Sequence, residues 1–194
     1  MATWSQAAPA LEPVTLDEVK DHLRLSGTAE DVYIEALIKA ARQEVEAWTG
    51  RAMISRAVTL DLAAWETVSP IPLLFPPVAS ITSVTGYSND AVGTTVTSAN
   101  YFLTGSRLAQ APNTAGWSSE AERAQLALRV VYSAGYGATT ETVPMALRQA
   151  VMMYVADLYE TRQSEVIGTI VARSSLNWQS MAAPYRVNKL TEVF

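Results

Sequence analysis

The chain contains no cysteine and one histidine, His22. The first absence removes disulfides, thiolate metal sites and cysteine nucleophiles together. The second removes histidine-rich metal centres and leaves a Ser-His-Asp triad only one residue to be built on. No apolar run reaches the ~18 residues needed to cross a bilayer. The most apolar stretch, Ser69–Ile81, is short and broken by Pro70, Pro72, Pro76 and Pro77. Residues 1–13, MATWSQAAPALEP, lack the basic and then apolar profile of a secretory leader. A basic excess is missing too. The formal charge is −5, and residues 1–50 carry all of it with nine acids against four bases, while the remainder holds ten of each. This is not the footprint of a protein that grips a nucleic-acid backbone.

What is present is ample apolar material, 49% of 194 residues, with mean hydropathy +0.09. That suits one soluble domain, or a core domain carrying an insertion. The stretch Thr28–Gly50 reads as a complete amphipathic helix. Thr28 and Asp31 have capping-box spacing, and Glu30 adds charge at the positive end of the dipole. Ile34, Leu37, Ile38, Ala41, Val45 and Trp48 share a face, while Glu35, Lys39, Arg42, Glu44 and Glu46 fall largely on the others. Gly50 supplies a left-handed stop.

A shorter helix precedes it. Thr15 and Glu18 form a capping box, Val14 and Val19 a hydrophobic staple, and Ser26-Gly27 closes the helix. After Gly50 the period becomes two. Residues 51–62 alternate around Val58, Leu60 and Leu62; Ile81, Val84 and Tyr87 mark a second strand. Residues 94–103 predict a third strand, Arg107-Leu108 a short return and residues 126–133 a well-marked last strand. Residues 109–121 read as a surface loop anchored by Trp117. Helical period returns at Val143-Pro144, with Leu147, Val151, Tyr154, Val155 and Leu158 as its seam. Residues 166–171 are apolar but interrupted by Gly168, and residues 174–183 predict a short helix.

The expected fold is therefore α+β. A small helical bundle over residues 13–50 and 143–183 is interrupted by an antiparallel β module over 51–142, with an arm at 1–12 and a docking tail at 184–194.

Candidate chemistry is thin. His22 lies among Lys20, Asp21 and Arg24, without an activated nucleophile at motif spacing. Gly135-Tyr136-Gly137 lacks the third glycine and the lysine of phosphate-cradling loops. The acidic pairs Asp17/Glu18 and Glu30/Asp31 sit in opening helical turns, where the helix dipole accounts for them, and Glu44/Glu46 do not face a common point. Met145, Met152, Met153 and Met181 suit core filling or a subunit contact. No cofactor or metal is implied and an enzyme is not expected, a small hydrolase using His22 being the remote alternative. The chain ends are different. Trp4, Trp178, Tyr185 and Phe194 lie in segments with little regular structure to bury them, the pattern of interface anchors. Docking onto another subunit is the expectation for them, rather than folding back on their own domain.

The order PVTLDEVKDHLRL, EDVYIEALIKAARQEVEAWTGR, a proline-rich segment with ASITSVTGY, LRVVYSAGYG, VPMALRQAVMMYVADLYETR and finally PYRV resembles the phage head–tail connector (adaptor) proteins, in a branch also found in prophages and gene transfer agents. The resemblance spans nearly all of residues 13–187. It implies a homo-dodecameric ring in the neck of a virion or phage-like particle, beneath the portal protein. DNA would pass through it, without sequence-specific binding, to stopper or tail proteins, and no membrane is involved. A stopper or tail-completion protein of the same neck is the nearest alternative. By position, Pro184, Tyr185, Arg186 and Val187 match the family's terminal PYRV and become candidates for portal contact. The β module would face neighbouring subunits or the next ring. The pattern leaves Asn188–Phe194 without a role.

Overall fold

The computed structural model describes residues 2–62, 70–87, 92–111, 128–161 and 176–187, the side chains of Leu176 and Asn177 excepted. Two compact units divide the chain. A helical unit comprises Ala10–Ile54 and Tyr136–Lys189, and a β unit comprises Met1–Pro9 and Ser55–Gly135. The fold is α+β, as expected.

In the helical unit, α1 (Leu16–Leu23) begins at the Thr15 capping box: the Glu18 amide donates to Thr15 Oγ1 at 3.3 Å and the Thr15 amide to Glu18 Oε2 at 2.9 Å. Val14 and Val19 are both buried. α1 ends earlier than Ser26-Gly27 implied, with Arg24 itself left-handed at φ 56°. α2 (Asp31–Thr49) buries Ile34, Ile38, Ala41 and Val45 and ends at left-handed Gly50, φ 71°. Its start departs from expectation, because Glu30 is the N-cap and no side chain caps it. Asp31 is drawn to Lys20 Nζ at 2.7 Å, so the box with Thr28 does not close.

The long helix α3 (Met145–Glu160) buries Leu147, Ala150, Val151 and Val155, and α4 (Leu176–Ala182) contributes Trp178 and Ala182 to the same core. Each of the larger aliphatic side chains, Leu147, Val151 and Val155, contributes about 1.5–3 kcal/mol when taken from water. Residues 51–54 belong here and not to a strand: Ala52, Met53 and Ile54 are buried, and Ile54 bridges Gly137.

In the β unit, an antiparallel sheet has the order β1-β2-β8-β4-β5, built from β1 (Ala2–Gln6), β2 (Arg56–Leu62), β4 (Val78–Tyr87), β5 (Gly93–Thr95) and β8 (Leu128–Ala134). A second sheet has the order β3-β7-β6, from β3 (Ile71–Pro72), β6 (Tyr101–Thr104) and β7 (Arg107–Gln110). Register puts Val58 opposite Tyr132 and Leu60 opposite Val130, which makes one face of the larger sheet apolar and buried. Tyr132 carries its hydroxyl to the Leu74 carbonyl at 3.0 Å, and burial raises its pKa above the usual tyrosine range. On the opposite face Arg129 pairs bidentately with Asp61, at 2.8 and 2.9 Å.

Two readings change here. Residues 2–6, expected as an arm ordered only by what it touches, form an edge strand paired with β2. The single strand expected at 94–103 is β5, a turn at Ser98–Asn100 and β6, in two different sheets. The loop anchor Trp117 and the segment 166–171 lie outside the described residues.

Candidate assembly site at the chain ends

The last turn of any α-helix leaves carbonyls without intrahelical donors. In α2 the Gly50 amide takes Glu46 O at 2.8 Å, and the Thr49 carbonyl is satisfied from far along the chain by the Val187 amide, also at 2.8 Å. Further contacts hold residues 185–187 in place. Arg51 donates through Nε to the Tyr185 carbonyl. The Arg186 guanidinium lies 4.8 Å from the centroid of the Trp48 ring, and the Arg186 amide donates to Ala183 O at 3.1 Å. Gly50 is needed here for its left-handed φ of 71°, which disfavours side chains; an added Cβ would only come into ordinary contact with Val187, 3.4 Å from its Cβ. Pro184 sits at the start of the short 3-10 turn Ala183–Tyr185, which leads into residues 186–187. Pro184 and Arg186 are exposed, whereas Tyr185 and Val187 are half-buried. Tyr136, close to Arg51 and Tyr185, has its pKa raised by burial and pulled back in part by the Arg51 charge.

Trp178, in α4 just before this segment, is 3% exposed. Its ring meets Trp48 edge-on, centroids 5.6 Å apart, and Tyr154 at 5.1 Å. Nε1 has no hydrogen-bond partner among the described residues. The expectation that Trp178 docks outward is corrected here: the residue folds back into its own helical core, because α4 packs on α3 beside Trp48. Tyr185 also packs against that core. Phe194 lies outside the described residues.

At the other end, Trp4 is 51% exposed and faces Leu60 across the β1–β2 pair, its ring 4.8 Å from that of Phe75 in an edge-on contact. His22 is exposed on α1. Met152 and Met153 pack on the helical core, while Met145 is 64% exposed at the start of α3. Among the described residues no cluster of three or more histidines, aspartates or glutamates is placed to hold a metal. No helix among them is long and apolar enough to cross a membrane.

Sequence reasoning missed the buried charges that set the start of the helical unit. Arg42, placed by periodicity on the outer faces with Glu46, is buried, as is Glu46. Arg42 Nη1 meets Glu46 Oε2 at 2.8 Å and its Nε meets Glu12 Oε2 at 2.7 Å, while Glu46 Oε1 accepts from the Met53 amide at 2.8 Å. Arg148 reaches the Pro13 carbonyl at 3.2 Å and pairs with Glu18. The one legible signal was the i,i+4 spacing of Arg42 and Glu46.

These features define an α+β protein in which a helical unit is interrupted in sequence by an antiparallel β unit, with residues 185–187 seated on the end of α2. The chain belongs to the head completion protein family, whose sequence profile matches residues 12–171. Its fold is similar to that of a chain in a structure described as the virion of a native gene transfer agent particle, with 24% identity, TM-score 0.79 and 97% of each chain covered. It is similar as well to a chain in the neck of an empty gene transfer agent particle determined with C6 symmetry, at 23% identity, TM-score 0.79 and 98% of each chain. A third similar chain lies in the neck of a native particle determined with C12 symmetry, at 22% identity, TM-score 0.73 and 98% of each chain. No curated protein sequence matches it.

Proposed function

We propose that this protein is a structural adaptor of the head–tail neck in a tailed phage or phage-like particle. It forms a ring beneath the portal and passes DNA onward to the stopper and tail. The observation that carries the reading is the family match over residues 12–171. End-to-end likeness to chains from gene transfer agent necks supports it, and C12 symmetry in one of those necks supports twelve copies in the ring. A ring interface is head-to-tail, so each protomer must offer two different surfaces. Exposed Met145, Val32 and Trp4 are among the apolar material available for them.

The duplex would be guided, not gripped. Asp17, Asp21, Glu35 and Glu44 are exposed on α1 and α2. Facing the channel, they would repel phosphates and keep the duplex centred, whereas a basic lining would hold it through counterion release. A ring structure with these helices turned outward would remove that orientation.

Portal contact is assigned to the C-terminal tail, with Pro184 and Arg186 as its exposed members before Asn188. The test is to mix the full chain with its portal, image the product by negative stain, and repeat with residues 188–194 and then 184–194 removed. Rings on the portal with the full chain, and weakened attachment on truncation, are expected. Absence of rings under any condition would end the adaptor reading, and unchanged attachment by both truncations would end the tail's role in it.

A further inference from the structure

The resemblance makes the PYRV segment a candidate for partner contact, yet its backbone is already committed within the protomer. The Val187 amide completes the hydrogen bonding of α2's last turn at Thr49, Arg51 holds the Tyr185 carbonyl, and Trp48 carries the Arg186 guanidinium on its face. Three adjoining residues of the tail are thus tethered by three nearly consecutive residues, 48, 49 and 51, through an amide, a carbonyl and a side chain. The side chains alternate accordingly, Tyr185 and Val187 half-buried, Pro184 and Arg186 exposed.

We propose that Tyr185-Arg186-Val187 is a clamp that fixes where, and in which direction, the C-terminal tail leaves the helical unit before any partner is met. Its use rests on the adaptor reading, since a tail that must engage a second ring loses less conformational freedom on binding if its base is already ordered. The clamp itself is a property of the isolated chain.

Amide hydrogen exchange on the full-length protein reads it directly. The Val187 amide is expected to exchange at least ~10-fold more slowly than in an unstructured peptide of the same sequence, since it is bonded to Thr49 O. Arg51→Ala and Trp48→Leu, made separately, should each lose most of that protection while Val45 and Val151 amides in the helical core keep theirs. Exchange of Val187 at the peptide rate in the wild type would overturn the clamp, and so would variants with undiminished protection. Both variants are then tested on the portal. Weaker attachment with the core intact supports the clamp's use, and wild-type attachment by both refutes that use. Failure of the wild type itself to bind portal would sink the adaptor reading while the exchange result still stands or falls by itself.

Discussion

Replacing Trp178 distinguishes a core residue from an interface residue. A tryptophan buries roughly 150–250 Å² on folding, which at ~25 cal/mol per Å² corresponds to about 4–6 kcal/mol. Measured truncations of such residues to alanine cost about 3–5 kcal/mol, because the site only partly collapses. Trp178→Ala is therefore expected to destabilise the isolated protomer by ~4 kcal/mol. In a unit of about a hundred residues each kcal/mol moves the midpoint by about 4–8 °C, so the helical unit should melt at least ~15 °C lower. Trp178→Phe separates packing from polarity. It sacrifices part of the area but also removes Nε1, which has no acceptor among the described residues and whose burial unpaired would cost about 1–3 kcal/mol, so the net loss should stay near ~1 kcal/mol. Thermal and urea unfolding of both variants, followed by far-UV circular dichroism at concentrations too low for assembly, measure these differences. The two units can unfold separately, so the helical transition must be assigned in each trace. Midpoints within about 2 °C of wild type for Trp178→Ala, together with lost ring formation, would refute the burial argument and return Trp178 to the subunit interface.

The buried pair Arg42–Glu46 is expected to be sensitive to removal of one partner. Glu46→Ala leaves Arg42 with Glu12 alone and strips the Met53 amide of its acceptor, and should cost ~3 kcal/mol in urea titration, with Glu46→Gln milder. Gly137→Ala should cost about 1–3 kcal/mol through overpacking, since the new Cβ would fall 2.5 Å from Thr142 Oγ1; Thr142→Gly in the same chain should restore much of the loss. Stability of the helical unit should decline in acid partly through Glu18: partial burial alone would raise its pKa, but the Thr15 amide and Arg148 more than offset this and hold it below the usual 4.5. Folding therefore favours the ionised form, so this contribution is complete above pH 4.5 and is lost as pH falls through the depressed value; Glu18→Gln should flatten that part of the stability profile.

The helices were legible where a local rule decides them. Thr15 and Glu18 close the capping box that their spacing announced, and Gly50 ends α2 in the left-handed region. Legibility failed where a distant side chain outbid the local one, as at Asp31, which Lys20 holds away from Thr28. The strands show the same division. Val78, Ile81 and Val84 recur every third residue, a spacing that would send alternate side chains to opposite faces of a regular strand. Register shifts between Val78 and Ser80 and between Ile81 and Ser83 reset the parity, so Ile81 stands opposite Tyr132 and Val84 opposite Val130. Nothing local in 2–6 marks it as a strand. Its order comes from pairing with β2, half a hundred residues on.

The C-terminal site carries this furthest. Its residues were legible as a motif and as amphipathic anchors, but amphipathic anchors are satisfied equally by another protomer or by their own. What decides between the two is an unmet requirement elsewhere: α2 ends at left-handed Gly50 and leaves the Thr49 carbonyl in need of a donor, which the Val187 amide supplies. A sequence states that requirement at Gly50 and the supply at Val187, yet not that they meet. Trp178 shows why they do, since its insertion beside Trp48 and Tyr154 brings α4 to α2 and α3 and leaves the following residues within reach of α2's end. Filling the core therefore brings the tail to its seat, and the contacts of Arg51, Trp48 and Thr49 then hold it there. It follows that Trp178→Ala should also speed exchange of the Val187 amide, whereas Arg51→Ala should free the tail without lowering the melting temperature by more than a few degrees.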